Sequence, residues 1–168
     1  TLVMIDKNLY DEDSKFLLEY VIAHETAHQW WYSIVGNDEV SEPWLDEALT
    51  EYSTILYFES RYGKDVSDKL MKAMKGQSEN YRGEDMFKAI NEFGSSSEYS
   101  LNVYTKGAVV FNEIRKEVGD KIFFETLQEY CQSYMFQNVN GEQFMKLWKD
   151  KGVDINKIVD KIYIMFKI

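Results

Sequence analysis

The chain has 168 residues, 45% of them hydrophobic and 15% aromatic, enough to bury one sizeable core and too apolar for a disordered segment. With 29 acidic against 19 basic residues and a net charge of −10, it lacks the clustered positive charge that a nucleic acid or an anionic membrane surface requires. A single cysteine, Cys131, excludes an internal disulfide, and no apolar run approaches the roughly 20 residues that span a bilayer.

The opening TLVMID, short, apolar and partly β-branched, predicts a strand. Residues 15 to 35 place Phe16, Val21, Ala23, Ala27, Trp30, Trp31 and Ile34 at helical spacing and predict a helix that stops at Gly36. The Ser-Glu-Pro opening of SEPWLDEALTEYSTILYFESRYG and its closing Gly63 predict a second helix over about residues 43 to 62. A third covers about 65 to 75 and ends near Gly76. GQSENYRGEDMFKAINEFGSSSEYS mixes Gly, Ser and acids and predicts a loop with one short helix around Glu84 to Glu92. LNVYTKGAVVFNEIRKEVG predicts a helix up to Gly119, and breaks at NVNG and DKGVD divide the remainder into about three more. The expected fold is mainly α with a residual β segment at the N-terminus, in one domain over residues 1 to 168.

Both histidines of the chain stand four residues apart in VIAHETAHQWW, with Glu25 directly after the first. On a helix His24 and His28 then share a face and can direct imidazole nitrogens at one ion, while Glu25 projects beside it. This is the HExxH arrangement, and chance produces it in such a chain roughly once in 700. The alternative is a fortuitous cluster on an apolar helix. Against it, Ala23, Ala27 and Trp30 would bury the imidazoles, and buried imidazoles need partners.

A catalytic zinc takes three protein ligands and keeps one position open. No third histidine exists and Cys131 is remote, so the candidates are acids. Glu47, on the predicted second helix in EPWLDEALTEY, completes the set if the two helices pack side by side. Spacing alone leaves it equally readable as one solvated acid among 29. Glu51, one turn later on the same face, is placed to accept the other ring proton of a ligand histidine and so to orient it. Asp46 faces elsewhere on the helix and is the lesser candidate.

HETAH, eighteen intervening residues and Glu47 within WLDEALTEY resemble the gluzincin aminopeptidases, the group that includes alanyl aminopeptidases and leukotriene hydrolase. Asp46 and Ala48 stand where that family commonly has Asn and Gly. VYTKGAVVFNEIRKEVG is similar to the family's Y-x-K-G-A segment, and the stretch from FFETLQEY to DKGVDI is similar in rhythm to the closing helices of its thermolysin-like catalytic domain. The resemblance implies the helical part of that domain, with one Zn2+ held by His24, His28 and Glu47. It implies Glu25 as general base and Tyr104 as the tyrosine that assists the transition state, with Tyr99 as the rival if the loop places it deeper. The implied activity is release of N-terminal amino acids from peptide substrates. A zinc endopeptidase or an epoxide hydrolase would use the same site. A non-catalytic scaffold module is the third alternative, disfavoured by Glu25, which structural zinc does not need.

The family's G-x-M-E-N motif, which helps hold the substrate's amino terminus, is absent, as are its N-terminal β domain, much of its catalytic sheet and its C-terminal helical region. The chain, starting at Thr1, is therefore expected to be a piece of a longer protein, weakly active or inert alone. It is expected to contact the missing domains and to dimerise through the faces they would cover. Localisation is open, with the cytoplasm slightly favoured. Trp30, Trp31 and Trp44 are expected to pack rather than to wall a cleft, and Lys106 and Gly107 to shape the start of the Tyr104 helix.

Overall fold

The computed structural model describes residues 2–79 and 85–165. Its centre is a helix buried on nearly every side. Pro43 enters it at φ −61°, the value a proline ring imposes, and Gly63 leaves it at φ +89°, where a side chain would be strained. Between them α2 (Trp44–Tyr62) buries Trp44, Leu45, Ala48, Leu49, Tyr52, Ile55 and Phe58. Around it pack α1 (Lys15–Ala27), α3 (Lys64–Glu79) and α5 (Gly107–Tyr134). A short α4 (Ser96–Tyr99) runs into a π-helical turn, Ser100–Lys106, which leads directly into α5. α6 (Gly141–Asp150) and α7 (Ile155–Met165) close the far side of α5, burying Phe144, Trp148, Ile155, Ile158, Val159 and Ile162.

The architecture is mainly α. The only strand pairing among the described residues is a two-residue parallel bridge, β1 (Val35–Gly36) against β2 (Gln137–Asn138). The N-terminal strand expected for TLVMID does not form: residues 2–6 have no neighbouring strand, and Leu2 and Met4 are 82% and 79% exposed. A strand needs a partner for its amides, and apolar alternation alone does not supply one.

The first helix is shorter than its apolar period suggests, ending at Ala27 instead of 35. After His28 the amides of Gln29 and Trp30 tighten onto the carbonyls of Thr26 and Ala27, and Tyr32 at φ 112° reverses the chain. Trp31 turns inward, donating from its indole to Ser53 Oγ at 2.8 Å and stacking on Tyr130. Trp44 is core, Trp31 half-buried and Trp30 half-exposed. The third helix continues through Gly76 to Glu79, since one glycine in a helix costs only about 1 kcal/mol. Of the short helix expected around Glu84 to Glu92, Glu84 lies outside the described residues and only a 3-10 turn, Ile90–Glu92, is present. The break at Gly119 is real, with φ 78° and ψ 162° inside α5. Arg115 spans it, gripping Glu59 of α2 through two bonds of 2.9 and 2.8 Å while holding Asp120 beyond the break.

Two close contacts tie α5 and α6 to the α2 segment. Gly107 lies so close to Ala48 that an added Cβ would overlap the alanine methyl. At the other end of the loop before α2, the Glu42 carboxylate accepts from the Gly141 amide at 2.9 and 3.0 Å, fixing the start of α6. Gly107→Ala is expected to cost about 1–3 kcal/mol of unfolding free energy by overpacking, and Ala48→Gly in the same chain to restore part of it. Urea unfolding of the two single variants and the double variant measures both.

Candidate metal centre

α1 and α2 lie side by side, and each presents a pair of residues four apart to the other. From α1 and the residue that caps its C-terminus come His24 and His28; from α2 come Glu47 and Glu51. One Glu47 oxygen, Oε2, sits 3.2 Å from His24 Nε2 and 3.2 Å from His28 Nε2. One ligand atom from each of these three residues lies within 4.8 Å of the others, the spacing around a single ion. The side chains are largely shielded, at 11%, 19% and 19% exposure for His24, His28 and Glu47.

The outer ring nitrogens are also engaged. His24 Nδ1 meets Glu51 Oε2 at 2.9 Å, and Tyr20 donates its hydroxyl to the other Glu51 oxygen. His28 Nδ1 faces the Trp31 carbonyl at 3.1 Å and Thr50 Oγ1 at 3.2 Å. A carbonyl only accepts, so His28 donates from Nδ1 to Trp31, which leaves its Nε2 facing Glu47. The tyrosine proposed from sequence is here too: the Tyr104 ring stacks on the His24 ring at 5.7 Å, and its hydroxyl bonds the Glu47 carboxylate. Tyr99 stands edge-on to Tyr104 at 5.6 Å, one ring farther from the histidines. Glu25, next to His24, is half-buried and takes no hydrogen bond or ion pair among the described residues. Asp46 turns away and accepts from Asn37 Nδ2 at 2.9 Å.

The electrostatics follow from this crowding. Burial alone would lower the His24 pKa, but hydrogen bonds and negative charge from Glu47 and Glu51 outweigh it and lift it to about 9. His28 is raised in the same way by Glu47 and the Trp31 carbonyl, against burial. Burial pushes Glu47 up, yet both imidazoles and the Tyr104 hydroxyl draw it down to about 2. Burial and the Glu47 charge raise Tyr104, so its phenol stays protonated and able to donate. Asp46 is lifted to about 6, chiefly by burial.

These donors suit zinc. Two imidazole nitrogens and one carboxylate oxygen could serve as a three-ligand set for such an ion, and Glu51 would then be the outer carboxylate that orients a ligand histidine. A divalent cation bound there would displace the protons that the raised imidazoles hold against the depressed Glu47 carboxylate. A cavity of about 880 Å³ lies elsewhere: it is an apolar groove over Leu18, Ile22, Ala23, Leu56 and Trp30 that includes none of these site residues.

The profile of the Peptidase family M1 domain matches residues 1–162. The chain belongs to peptidase family M1. Among its curated relatives, leukotriene A-4 hydrolase of Xenopus laevis is 29% identical over 156 residues, covering 86% of this chain and 25% of that protein. Aminopeptidase B of Mus musculus is 29% identical over 161 residues, covering 80% of this chain and 23% of that protein. The fold matches the M1 zinc metallopeptidase from Deinococcus radiodurans with a TM-score of 0.72 at 20% identity, over 86% of this chain and 32% of that one. Native yeast LTA4 hydrolase gives a TM-score of 0.72 at 20% identity, over 92% of this chain and 26% of that one. The chain thus spans about a quarter of the curated relatives named here, and its mainly helical architecture is that of the helical part of an M1 peptidase domain.

Spacing pointed to His24, Glu25 and His28 and offered Glu47 and Glu51 as candidates, and the family resemblance pointed to Tyr104; the structure gathers five of them into contact and leaves Glu25 beside them with no partner among the described residues. It adds Tyr20, Thr50 and the Trp31 carbonyl. Tyr20 lies one turn before His24, and Thr50 three residues after Glu47, so helical spacing contained both. The carbonyl is available only because α1 ends where it does.

The site makes stability pH-dependent in the chelator-treated chain. His24 is raised from its ordinary 6.5 to about 9, so its contribution is complete below pH 6.5 and is lost as pH rises through 9. Glu47 is lowered from its ordinary 4.5 to about 2, so its contribution is complete above pH 4.5 and is lost as pH falls through 2. Unfolding free energies across this range should fall from pH 6.5 toward 9, and His24→Gln should flatten that arm. Zinc titration by calorimetry in buffers of differing ionisation heat should show proton release below pH 9.

Proposed function

We propose that this chain carries the hydrolytic centre of a zinc aminopeptidase, which releases N-terminal amino acids from peptides. The single observation that carries the proposal is the Glu47 oxygen shared at 3.2 Å by His24 and His28, on rings whose outer nitrogens are held by Glu51 and by Trp31 and Thr50. His24, His28 and Glu47 would hold one zinc. When bound, zinc supplies Lewis-acid polarisation of the scissile carbonyl and lowers the pKa of water toward about 7. The rest is the work of side chains. Glu25, without a hydrogen bond or ion pair among the described residues, accepts the proton of the attacking water and passes a proton to the leaving amine nitrogen as the carbon–nitrogen bond breaks. Tyr104, kept protonated, donates its O–H to the carbonyl oxygen as it becomes an oxyanion. Glu51, held in turn by Tyr20, keeps the His24 ring from rotating. No covalent enzyme intermediate is required.

Family membership and the names of the relatives, which include aminopeptidases, support peptide hydrolysis at an amino terminus. Zinc content of the purified chain and hydrolysis of aminoacyl arylamides against N-blocked peptides test the proposal. Glu25→Gln should retain zinc and lose activity about 10²- to 10⁴-fold. Tyr104→Phe should retain zinc and lose about 10²- to 10³-fold in kcat. Glu47→Gln should lose zinc. Cleavage of N-blocked peptides at equal rate would favour an endopeptidase, and turnover of an epoxide a hydrolase of that class. Bound zinc with equal rates for wild type and Glu25→Gln would contradict a catalytic role and leave a scaffold module.

A further inference from the structure

Tyr99 and Tyr104 are five residues apart, yet their rings touch at 5.6 Å and lie on the same side of their segment, toward His24. In an α-helix five residues turn the chain through one circle and roughly 140° more, which would put the two rings on different faces. A ladder of i→i+5 bonds closes its circle near the fifth residue and returns both to one face. The backbone does this over Ser100–Lys106, between two stretches of ordinary α-helix. π-turns are rare and costly, so something must hold this one.

Asn102, fully buried, is placed to do so. Its Nδ2 donates to the Glu98 carbonyl at 2.8 Å, the group that the amide of residue 102 would take in an α-helix. Its Oδ1 accepts from the buried Lys106 Nζ at 2.7 Å, four residues on. The upstream end is tied by Ser95, whose Oγ caps the Glu98 amide, and by the Glu98 carboxylate, which accepts from the Gly94 amide at 3.0 Å. The downstream end is seated by Gly107 against Ala48. A single side chain thus stitches both ends of the widened turn.

We propose that the π-turn Ser100–Lys106, locked by Asn102, is the device that lays Tyr104 over the His24 ring with Tyr99 edge-on behind it, and that Asn102 is a positioning residue acting through Tyr104. Its kinetic consequence rests on the catalytic role proposed above for Tyr104; its geometric consequence does not. Asn102 touches neither substrate nor the reacting atoms. Its contribution is to stop the segment from rewinding into an α-helix, which would swing Tyr104 off the histidine ring.

The test combines nuclear Overhauser contacts between aromatic rings with kinetics. The wild-type chain should show Tyr99–Tyr104 and Tyr104–His24 ring contacts. Asn102→Asp keeps the volume and the acceptor for Lys106 but removes the donor to Glu98; the Tyr104–His24 contact should weaken at least threefold. kcat should fall roughly 10- to 100-fold with KM within about twofold, as expected for a misplaced group. In a Tyr104→Phe background the same substitution should add less than about twofold, because it acts through the lost hydroxyl. Asn102→Ser, whose hydroxyl can donate to the carbonyl four residues back, should restore most of the contact and the rate. Unchanged ring contacts in a folded Asn102→Asp, or an additive loss in the Tyr104→Phe background, overturn the proposal. If Asn102→Asp does not fold, absence of the Tyr99–Tyr104 contact in the wild-type chain, or its loss in Asn102→Ser, does the same. A weakened contact with unchanged kcat sustains the positioning and removes Tyr104 from the reaction instead.

Discussion

The packing of α1 against α2 in one register is the constraint from which the rest of the molecule follows. Each helix offers two side chains one turn apart, and the pairs interlock: Glu47 lies between the two Nε2 atoms, and Glu51 backs His24. A shift of one residue in either helix would rotate a pair by about 100° and leave a shielded carboxylate without a partner, at a cost of several kcal/mol. The apolar residues of α2 therefore do more than fill the core. Leu45, Ala48, Leu49 and Tyr52 hold the helix at the one rotation where its acids meet the histidines.

From that seam a chain of polar contacts spreads outward. Tyr20 holds Glu51, Glu51 holds His24, Glu47 joins His24 to His28, and His28 ends on Trp31 and Thr50. Every member is satisfied by another, which makes so many ionisable groups tolerable in a shielded place. Satisfied this way, the imidazoles are held in rotation, as ligands of a catalytic metal site would need to be. The third layer comes from elsewhere in the chain: the π-turn lays Tyr104 on the His24 ring, and the tight Gly107–Ala48 contact sets how near it can come. Glu25 has no hydrogen bond or ion pair among the described residues, the condition under which a carboxylate could serve a reactant.

The parts that were legible in the sequence are those governed by local spacing. His24 with His28, and Glu47 with Glu51, are one turn apart, so a helix of any tertiary fate puts each pair on one face. Pro43 and Gly63 mark the ends of α2 for reasons of backbone geometry that neighbours do not alter. The expectations that failed depended on partners. TLVMID has the composition of a strand, but no second strand among the described residues accepts it. Trp30, Trp31 and Ile34 continue the apolar period of α1, but Trp31 is drawn to Ser53 and Tyr130 and the chain turns at Tyr32. The π-turn carries no periodic signature, since one slipped rung leaves the flanking residues helical in pattern; only Asn102 buried between Glu98 and Lys106 reveals it.

X-ray absorption at the zinc edge of the metal-loaded chain tests the central claim most directly, because it counts and types the atoms around the ion. Two imidazole rings with nitrogens at about 2.0–2.1 Å and oxygen donors at about 2.0–2.2 Å are predicted, with the carboxylate contribution lost in Glu47→Gln. A sulfur shell near 2.3 Å, a single imidazole, or a spectrum unchanged in Glu47→Gln would contradict it.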